Sequence, residues 1–363
     1  MTSIDMSRSF ISINIAILTI SDSRTLKDDS SGNLLEERIK NFGHKILDRQ
    51  IIADDVSLIK KTILNLSSNK LIDTIITTGG TGLTGRDSTP EAISEIAEKI
   101  IEQFSRAGGI LDKESFSSHK VEIYEPITTN YRGYTVAENR PPSQGIMLLE
   151  MLNIIEDFDI ATYGHLDPEV IHIMIEAKKI VFADRNRYLG DPDFVQNPLD
   201  ELLSKKFATE RKKSINPLQS SNSVWPGDLT REGTDTSYFC IADKEGNAVS
   251  FIHSLYNGFG SAFVADGTGI LFNNRQQGFR LEKGHPNTVA PGKRPMHTLN
   301  AFMILSNGKP LIISGTPGAD FQTQGSLQLI TSLIDYGLSP QEAVDAPRWH
   351  STPGSHPATL HDN

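Results

Sequence analysis

From residue 12 to about residue 105, short apolar runs alternate with helix-period segments, and this alternation limits the possible fold more than any other feature of the chain. Ile13 to Ile20 is a continuous apolar run, the pattern of a strand covered on both faces. Asn33 to Phe42 places Leu34, Leu35, Ile39 and Phe42 on one helical face, and Gly43 ends it. Ile46 to Ile52 reads as a second strand, Asp54 or Asp55 caps a helix running to about Leu66, and Leu71 to Thr78 reads as a third strand. The glycine-rich loop Gly79-Gly80-Thr81-Gly82 follows, and then Ser88 or Thr89 caps a helix with Pro90 at its first position. Such alternation predicts an α/β unit with a parallel sheet and right-handed crossovers.

The pattern changes after about Phe104. Ala107-Gly108-Gly109 is a break, and Val121 to Ala137 looks extended. Amphipathic helices are expected near Ile146–Ile155 and Pro168–Arg187. Residues 214–235 are rich in Ser, Asn, Pro, Gly and charge, which suits a solvent-exposed connector. From Thr236 the pattern is β. Thr236–Ala242 and Ala248–Leu255 read as strands joined through Lys244-Glu245-Gly246-Asn247. Ala301–Leu305 and Pro310–Ser314 are joined at Asn307-Gly308, a hairpin signal. Helices return at Gln324–Tyr336 and after Ser339, whose Ser-Pro-Gln-Glu is a capping box.

The 363 residues are enough for two or three domains. A net charge of −10 argues against nucleic acid or an anionic membrane as partner. The stretch from Phe10 to Ile20 is short and β-branched, and it runs into Ser21-Asp22-Ser23 without a small-residue cleavage site. It reads as a buried strand and not as a signal peptide, so a cytoplasmic location is expected. The single Cys240 excludes an internal disulfide and reads as a small buried hydrophobe in a strand.

Two segments carry chemistry. At the end of a parallel strand, the amides of Gly79 to Gly82 can converge on an anion, and glycines let a phosphate approach closely. Arg86 can neutralise charge there, and Asp87 can hold a metal or act as a base. The longer string, Thr77-Thr78-Gly79-Gly80-Thr81-Gly82 and then Arg86-Asp87-Ser88-Thr89-Pro90-Glu91-Ala92, resembles the molybdopterin-binding family of molybdenum cofactor biosynthesis. Ser21-Asp22-Ser23-Arg24 and Asp54 match it too, and the likeness covers roughly residues 12–104. The resemblance implies Mg- and ATP-dependent adenylylation of molybdopterin, or binding without turnover. It gives Asp54 and Asp87 the catalytic or Mg-binding roles, the loop Gly79, Gly80, Thr81 and Gly82 the pterin phosphate, and Ser21 and Asp22 a place in the same site. It also suggests a homo-oligomer formed through this part. The family pattern stops near Phe104, so this unit is expected to be truncated.

The second segment turns on Thr236. An internal threonine hydroxyl is a poor nucleophile. A cut ahead of Thr236 would place a free α-amine on the same residue, with a pKa near 8, able to take the hydroxyl proton at neutral pH. The exposed loop Arg231-Glu232-Gly233-Thr234-Asp235 leading into a strand suits such a cut.

The surrounding string looks like the small-subunit start of gamma-glutamyltransferases. It comprises Asp235-Thr236-Ser237-Tyr238, Asp243 to Ser250, Phe259-Gly260-Ser261, Gly269 to Arg275, Pro291 to Pro295 and Asp345-Ala346-Pro347-Arg348-Trp349. Gly108-Gly109-Ile110-Leu111 and Tyr131-Arg132-Gly133-Tyr134 match the end of the large subunit. The likeness covers about residues 106–363, with large-subunit-like residues 106–235 and small-subunit-like residues 236–363, both truncated. It implies an α+β N-terminal-nucleophile fold, an αββα sandwich, and self-cleavage between Asp235 and Thr236. Thr236 would then attack a γ-glutamyl amide such as glutathione, with no cofactor. Ser254 would support the nucleophile, and Gly318 and Ala319 would supply the oxyanion-hole amides. Asn274, His297 and Thr298 would contact substrate. Where the family has an aspartate pair for the substrate ammonium, this chain has Gln277-Gly278-Phe279. The large-subunit arginine that grips the substrate carboxylate has no counterpart.

Three readings follow: a self-processing γ-glutamyl hydrolase or transferase, a molybdopterin-binding or adenylylating protein, and an inactive fusion of two truncated genes.

Overall fold

The computed structural model describes residues 12–22, 24–79, 89–221, 235–265 and 270–352. In chain order the elements are β1 (Asn14–Ile20), α1 (Ser30–Asn41), β2 (Lys45–Ile52), α2 (Val56–Ser68), β3 (Thr74–Gly79), α3 (Thr89–Arg106) and α4 (Lys113–Ser117). Then come β4 (Ile127–Tyr131), β5 (Tyr134–Glu138), α5 (Gly145–Ile155), α6 (Pro168–Tyr188), α7 (Leu199–Leu202) and α8 (Lys205–Lys212). The last are β6 (Asp235–Ala242), β7 (Ala248–Tyr256), β8 (Val264–Ala265), β9 (Ile270–Leu271), β10 (Phe302–Ser306), β11 (Lys309–Ser314), α9 (Phe321–Ile334) and α10 (Pro340–Asp345). The chain divides into two compact units, one formed by Met1–Glu122 with Ala262–Phe272, the other by Ile123–Ser261 with Asn273–Asn363.

The first unit holds a three-stranded parallel sheet in the order β2-β1-β3. The apolar run of β1 is central, and six of its seven residues are buried. Asp55 caps α2 by accepting from the Leu58 N–H at 2.8 Å, which settles the choice between Asp54 and Asp55. Ile39 of α1 is buried as its periodicity requires, whereas Leu34 and Phe42 stay exposed. The helix α3 continues past Phe104 to Arg106. Phe104 meets Phe263 and Phe272 edge-on, with ring centroids 4.5 and 4.7 Å apart. The β8–β9 segment thus belongs to this unit, and Ala265 sits in a core with Leu18, Ile59, Ile63 and Ile100.

The second unit is built on an antiparallel sheet in the order β11-β10-β5-β4. Both tight turns use left-handed backbone at two successive residues. Asn307 and Gly308 have φ of 51° and 73°, and Arg132 and Gly133 have 52° and 88°, the requirement of a type I′ hairpin. Every residue of α5 is buried. Its Met147, Leu148, Met151 and Leu152 share one core with Val136, Phe182, Phe302, Ile304, Leu327 and Ile330, so α5, α6 and α9 form a helix layer on the sheet.

The β6–β7 hairpin lies against β10 and β11, where the Ser250 hydroxyl reaches the carbonyls of Phe302 and Ser314 at 3.4 and 3.3 Å. A side chain at Gly315 would fall 2.6 Å from the Tyr238 ring, so that close approach requires glycine. Two β layers and one helix layer are therefore present, and among the described residues no helix layer covers the outer face of the hairpin. Phe239, Ile241, Val249 and Phe251 stay exposed there. Cys240 is likewise exposed. It lies in a strand as expected, but the buried environment assigned to it is wrong, because nothing described covers that part of β6. No helix among the described residues is long and apolar enough to cross a membrane.

Candidate active site

Thr236 is the second residue of β6 and pairs with Ser254 of β7. The register slips between Asp235 and Thr236, since Asp235 pairs with Tyr256. The slip gives β7 one extra residue, and Tyr256 takes the strain with a φ of 81°. The Thr236 hydroxyl donates to Ser254 Oγ at 3.0 Å, and Ser254 Oγ also accepts from the Tyr256 N–H at 2.9 Å. A hydroxyl held this way has a fixed direction, which a nucleophile needs.

A shallow pocket lies beside it, lined by Thr236, Ser254, Tyr256, Asn257, Arg275, Thr298 and Ala319. Ala319 has a φ of 47° and Gly318 one of 123°. Left-handed backbone at a non-glycine residue costs on the order of 1–2 kcal/mol and gathers at functional sites. Among the described residues neither the Gly318 nor the Ala319 N–H has a hydrogen-bond partner, as two donors reserved for an incoming oxyanion would require.

The turn is held from behind. Gln144 Nε2 donates to the carbonyls of Thr298 and Ala319, at 3.1 and 3.2 Å. Gln144 Oε1 accepts from Arg185 at 3.4 Å, and Arg185 donates to Asp320 at 2.7 Å. All three side chains are buried. Lys178 lies 4.4 Å from the Phe182 ring, and burial pushes its ammonium down to about 7. Gln144, Arg185 and Asp320 carry no sequence signal, being isolated polar residues on three distant segments.

The structure thus gathers Thr236, Ser254, Thr298 and Ala319 round one pocket, with Gly318 adjoining. Asn274 does not line it. Its Oδ1 accepts from the Asn257 N–H at 3.1 Å and its Nδ2 donates to Gln277 at 3.2 Å, so it shapes the loop after β7. His297 is also absent from the lining. Its backbone bridges to Pro142 and Gln144, and burial of the ring pushes it down to about 3, leaving it neutral. Arg275 is the residue that the sequence reading passed over. It stood in plain view in the string Asn273-Asn274-Arg275, and its guanidinium lines the pocket, 4.7 Å from the Tyr256 ring centroid.

In the first unit, Ser21 and Asp22 follow β1 and Asp54 follows β2. The parallel pairing brings them together, with the Asp54 N–H donating to Asp22 Oδ1 at 2.9 Å. Gly79 ends β3. Gly80, Thr81, Gly82 and Asp87 lie outside the described residues. Among the described residues no group of three or more His, Cys, Asp or Glu is placed to hold a metal.

Comparison with known proteins finds two family matches. Residues 93–359 match the family model described as gamma-glutamyltranspeptidase, and residues 16–129 match one described as "probable molybdopterin binding domain". The chain is 40% identical over 255 residues to the glutathione hydrolase-like YwrD proenzyme of Bacillus subtilis (strain 168), taking in 70% of this chain and 48% of that protein. It is 36% identical over 269 residues to the glutathione hydrolase proenzyme of Pseudomonas sp. (strain A14), taking in 70% and 47%. Among solved structures, cephalosporin acylase from Bacillus halodurans is similar with a TM-score of 0.66 and 38% identity, over 73% of this chain and 49% of that one. The chain spans about half the length of the curated relatives it matches.

Proposed function

The chain belongs to the gamma-glutamyltranspeptidase family, and from that premise we propose that it is a self-processing γ-glutamyl hydrolase or transferase whose nucleophile is Thr236. The observation that carries this reading is the Thr236 hydroxyl, directed by Ser254 and facing a pocket lined by Ala319, whose N–H, like that of the adjoining Gly318, has no hydrogen-bond partner among the described residues. Proenzyme is the word used for the relatives, which supports a cut ahead of the nucleophile.

In the maturation step, Thr236 Oγ attacks the Asp235 carbonyl carbon. The Asp235–Thr236 C–N bond breaks and an ester forms. Water then hydrolyses the ester, leaving a carboxylate on Asp235 and a free α-amine on Thr236. In turnover that amine takes the hydroxyl proton. Oγ attacks the γ-carbonyl carbon of the substrate, and the Gly318 and Ala319 N–H groups meet the oxyanion. The protonated amine gives its proton to the leaving nitrogen as the C–N bond breaks. Water or an acceptor amine then releases the acyl group.

Release of p-nitroaniline from γ-glutamyl p-nitroanilide by the full chain tests this. Thr236→Ala should abolish it, and Thr236→Ser, which keeps a hydroxyl, should retain a measurable part. Equal rates in the Thr236→Ala variant and the parent would sink the assignment.

A second reading concerns residues 16–129 alone. The family match and the Asp22–Asp54 contact favour a site for molybdopterin or ATP. Asp54 and Asp87 would hold Mg²⁺ through one or two carboxylates, which suits an ion completed by phosphates and water. Loss of bound pterin or nucleotide on Asp87→Ala is the expected result, and unchanged retention would argue against it.

A further inference from the structure

We propose that Arg275, together with the Thr298 hydroxyl, forms a carboxylate-binding subsite beside Thr236, so that the pocket selects acyl groups ending in a free carboxylate and has no use for a neighbouring ammonium. This rests on Thr236 being the nucleophile.

Arg275 begins a short 3₁₀ turn, Arg275–Gly278. Its Nη1 lies 3.5 Å from Thr298 Oγ1, at the limit of a hydrogen bond, and its Nη2 is buried with no partner among the described residues. It stands 4.7 Å from the Tyr256 ring centroid, and among the described residues no carboxylate forms an ion pair with it. Burial lowers the guanidinium to about 10, so it is still charged at neutral pH. A half-buried cation whose buried Nη2 has unmet N–H groups is costly. A carboxylate entering the pocket would accept from those groups in parallel, the geometry that guanidinium favours.

The remaining lining decides what accompanies that carboxylate. Thr236, Ser254, Tyr256, Asn257, Thr298 and Ala319 include no acid. Asp320, the carboxylate next to the lining in sequence, is engaged by Arg185 at 2.7 Å. An ammonium on the substrate would therefore meet Arg275 without an anion to offset it. A γ-glutamyl group carries both charges, and a glutaryl group keeps only the carboxylate.

The test uses the full chain carrying Thr236→Ala, which binds without turnover. Calorimetric titration compares glutaryl anilide, its methyl ester and γ-glutamyl anilide. The acid should bind at least as tightly as γ-glutamyl anilide. Esterification should weaken binding by about 10- to 100-fold, the range for losing charged hydrogen bonds. Adding Arg275→Ala should erase the difference between acid and ester, and Arg275→Lys should keep part of it. Acid and ester binding within twofold of each other, or no binding of the acid at millimolar concentration, overturns the proposal. If Arg275→Ala fails to fold in a thermal melt, the acid–ester comparison on Thr236→Ala alone still decides. If the acid–ester preference stands while the unmutated chain turns over neither anilide, the nucleophile reading has failed and the subsite has not.

Discussion

Replacing Arg185 with leucine removes one half of a buried ion pair and leaves Asp320 charged in the interior. The two side chains are only 1% and 5% exposed and meet at 2.7 Å. Among the described residues Asp320 Oδ2 has no hydrogen-bond partner, so the carboxylate depends heavily on this guanidinium. Breaking such a pair from one side costs about 3–5 kcal/mol. Lys178 sets where in that range the loss falls. Its ammonium, pushed down to about 7 by burial, is favoured by the Asp320 charge and disfavoured by Arg185. Without Arg185 both influences favour the charged lysine, which partly substitutes for the lost cation at pH 6. The loss should therefore be nearer 3 kcal/mol at pH 6 and nearer 5 kcal/mol at pH 9, where the lysine is neutral. Urea unfolding followed by tryptophan fluorescence measures it, because Trp349 packs against the core of this unit. The double variant Arg185→Leu/Asp320→Leu should be more stable than Arg185→Leu alone, since no charge is then stranded. Asp320 makes no side-chain cap bond to α9, so its removal loses no cap. A single variant within 1 kcal/mol of the parent at both pH values, or a double variant losing the sum of the two singles, would refute the reasoning.

Ser254→Ala removes the acceptor that directs the Thr236 hydroxyl and should slow both self-cleavage and turnover by roughly 10- to 100-fold, read by gel densitometry and p-nitroaniline release. Gly318→Ala forces a side chain onto a backbone with φ of 123° and places its Cβ 3.2 Å from Phe321. It should cost about 1–3 kcal/mol and lower kcat more than it raises KM. Glu138 is buried, its Oε1 has no partner among the described residues, and burial pushes it up to about 8. Its folded value lies above its unfolded one, so the stability it confers is complete below about pH 4.3 and is lost as pH rises through 8. Glu138→Gln should flatten that decline, by up to about 1.4 kcal/mol per pH unit between 5 and 8, and an unchanged pH profile of urea stability would contradict the assignment.

The first unit was legible because its signals are local. The apolar run of β1, the aspartate cap of α2 and the glycine ending α1 each act within a few residues. The hairpin turn at Asn307-Gly308 was legible for the same reason, while Arg132-Gly133 adopts the same turn without the asparagine that would advertise it. The Thr236–Ser254 pairing was recoverable because both strands and their connection appear in order. Burial of individual strand residues was not, since it depends on what covers the strand, and Cys240, Leu34 and Phe42 are exposed for that reason. The support behind the pocket was also illegible. Gln144, Arg185 and Asp320 are 41 and 135 residues apart along the chain, and no periodicity links them. Arg275 was visible as a letter, and only the fold shows that its charge faces the pocket of Thr236.

Intact-mass measurement of the purified full chain after long incubation, with identification of every new N-terminal residue, bears most directly on Thr236 as a self-activated nucleophile. Two fragments are predicted, residues 1–235 and 236–363, with a free α-amine on Thr236, and the Thr236→Ala chain should stay whole. One uncut mass in both samples would contradict it.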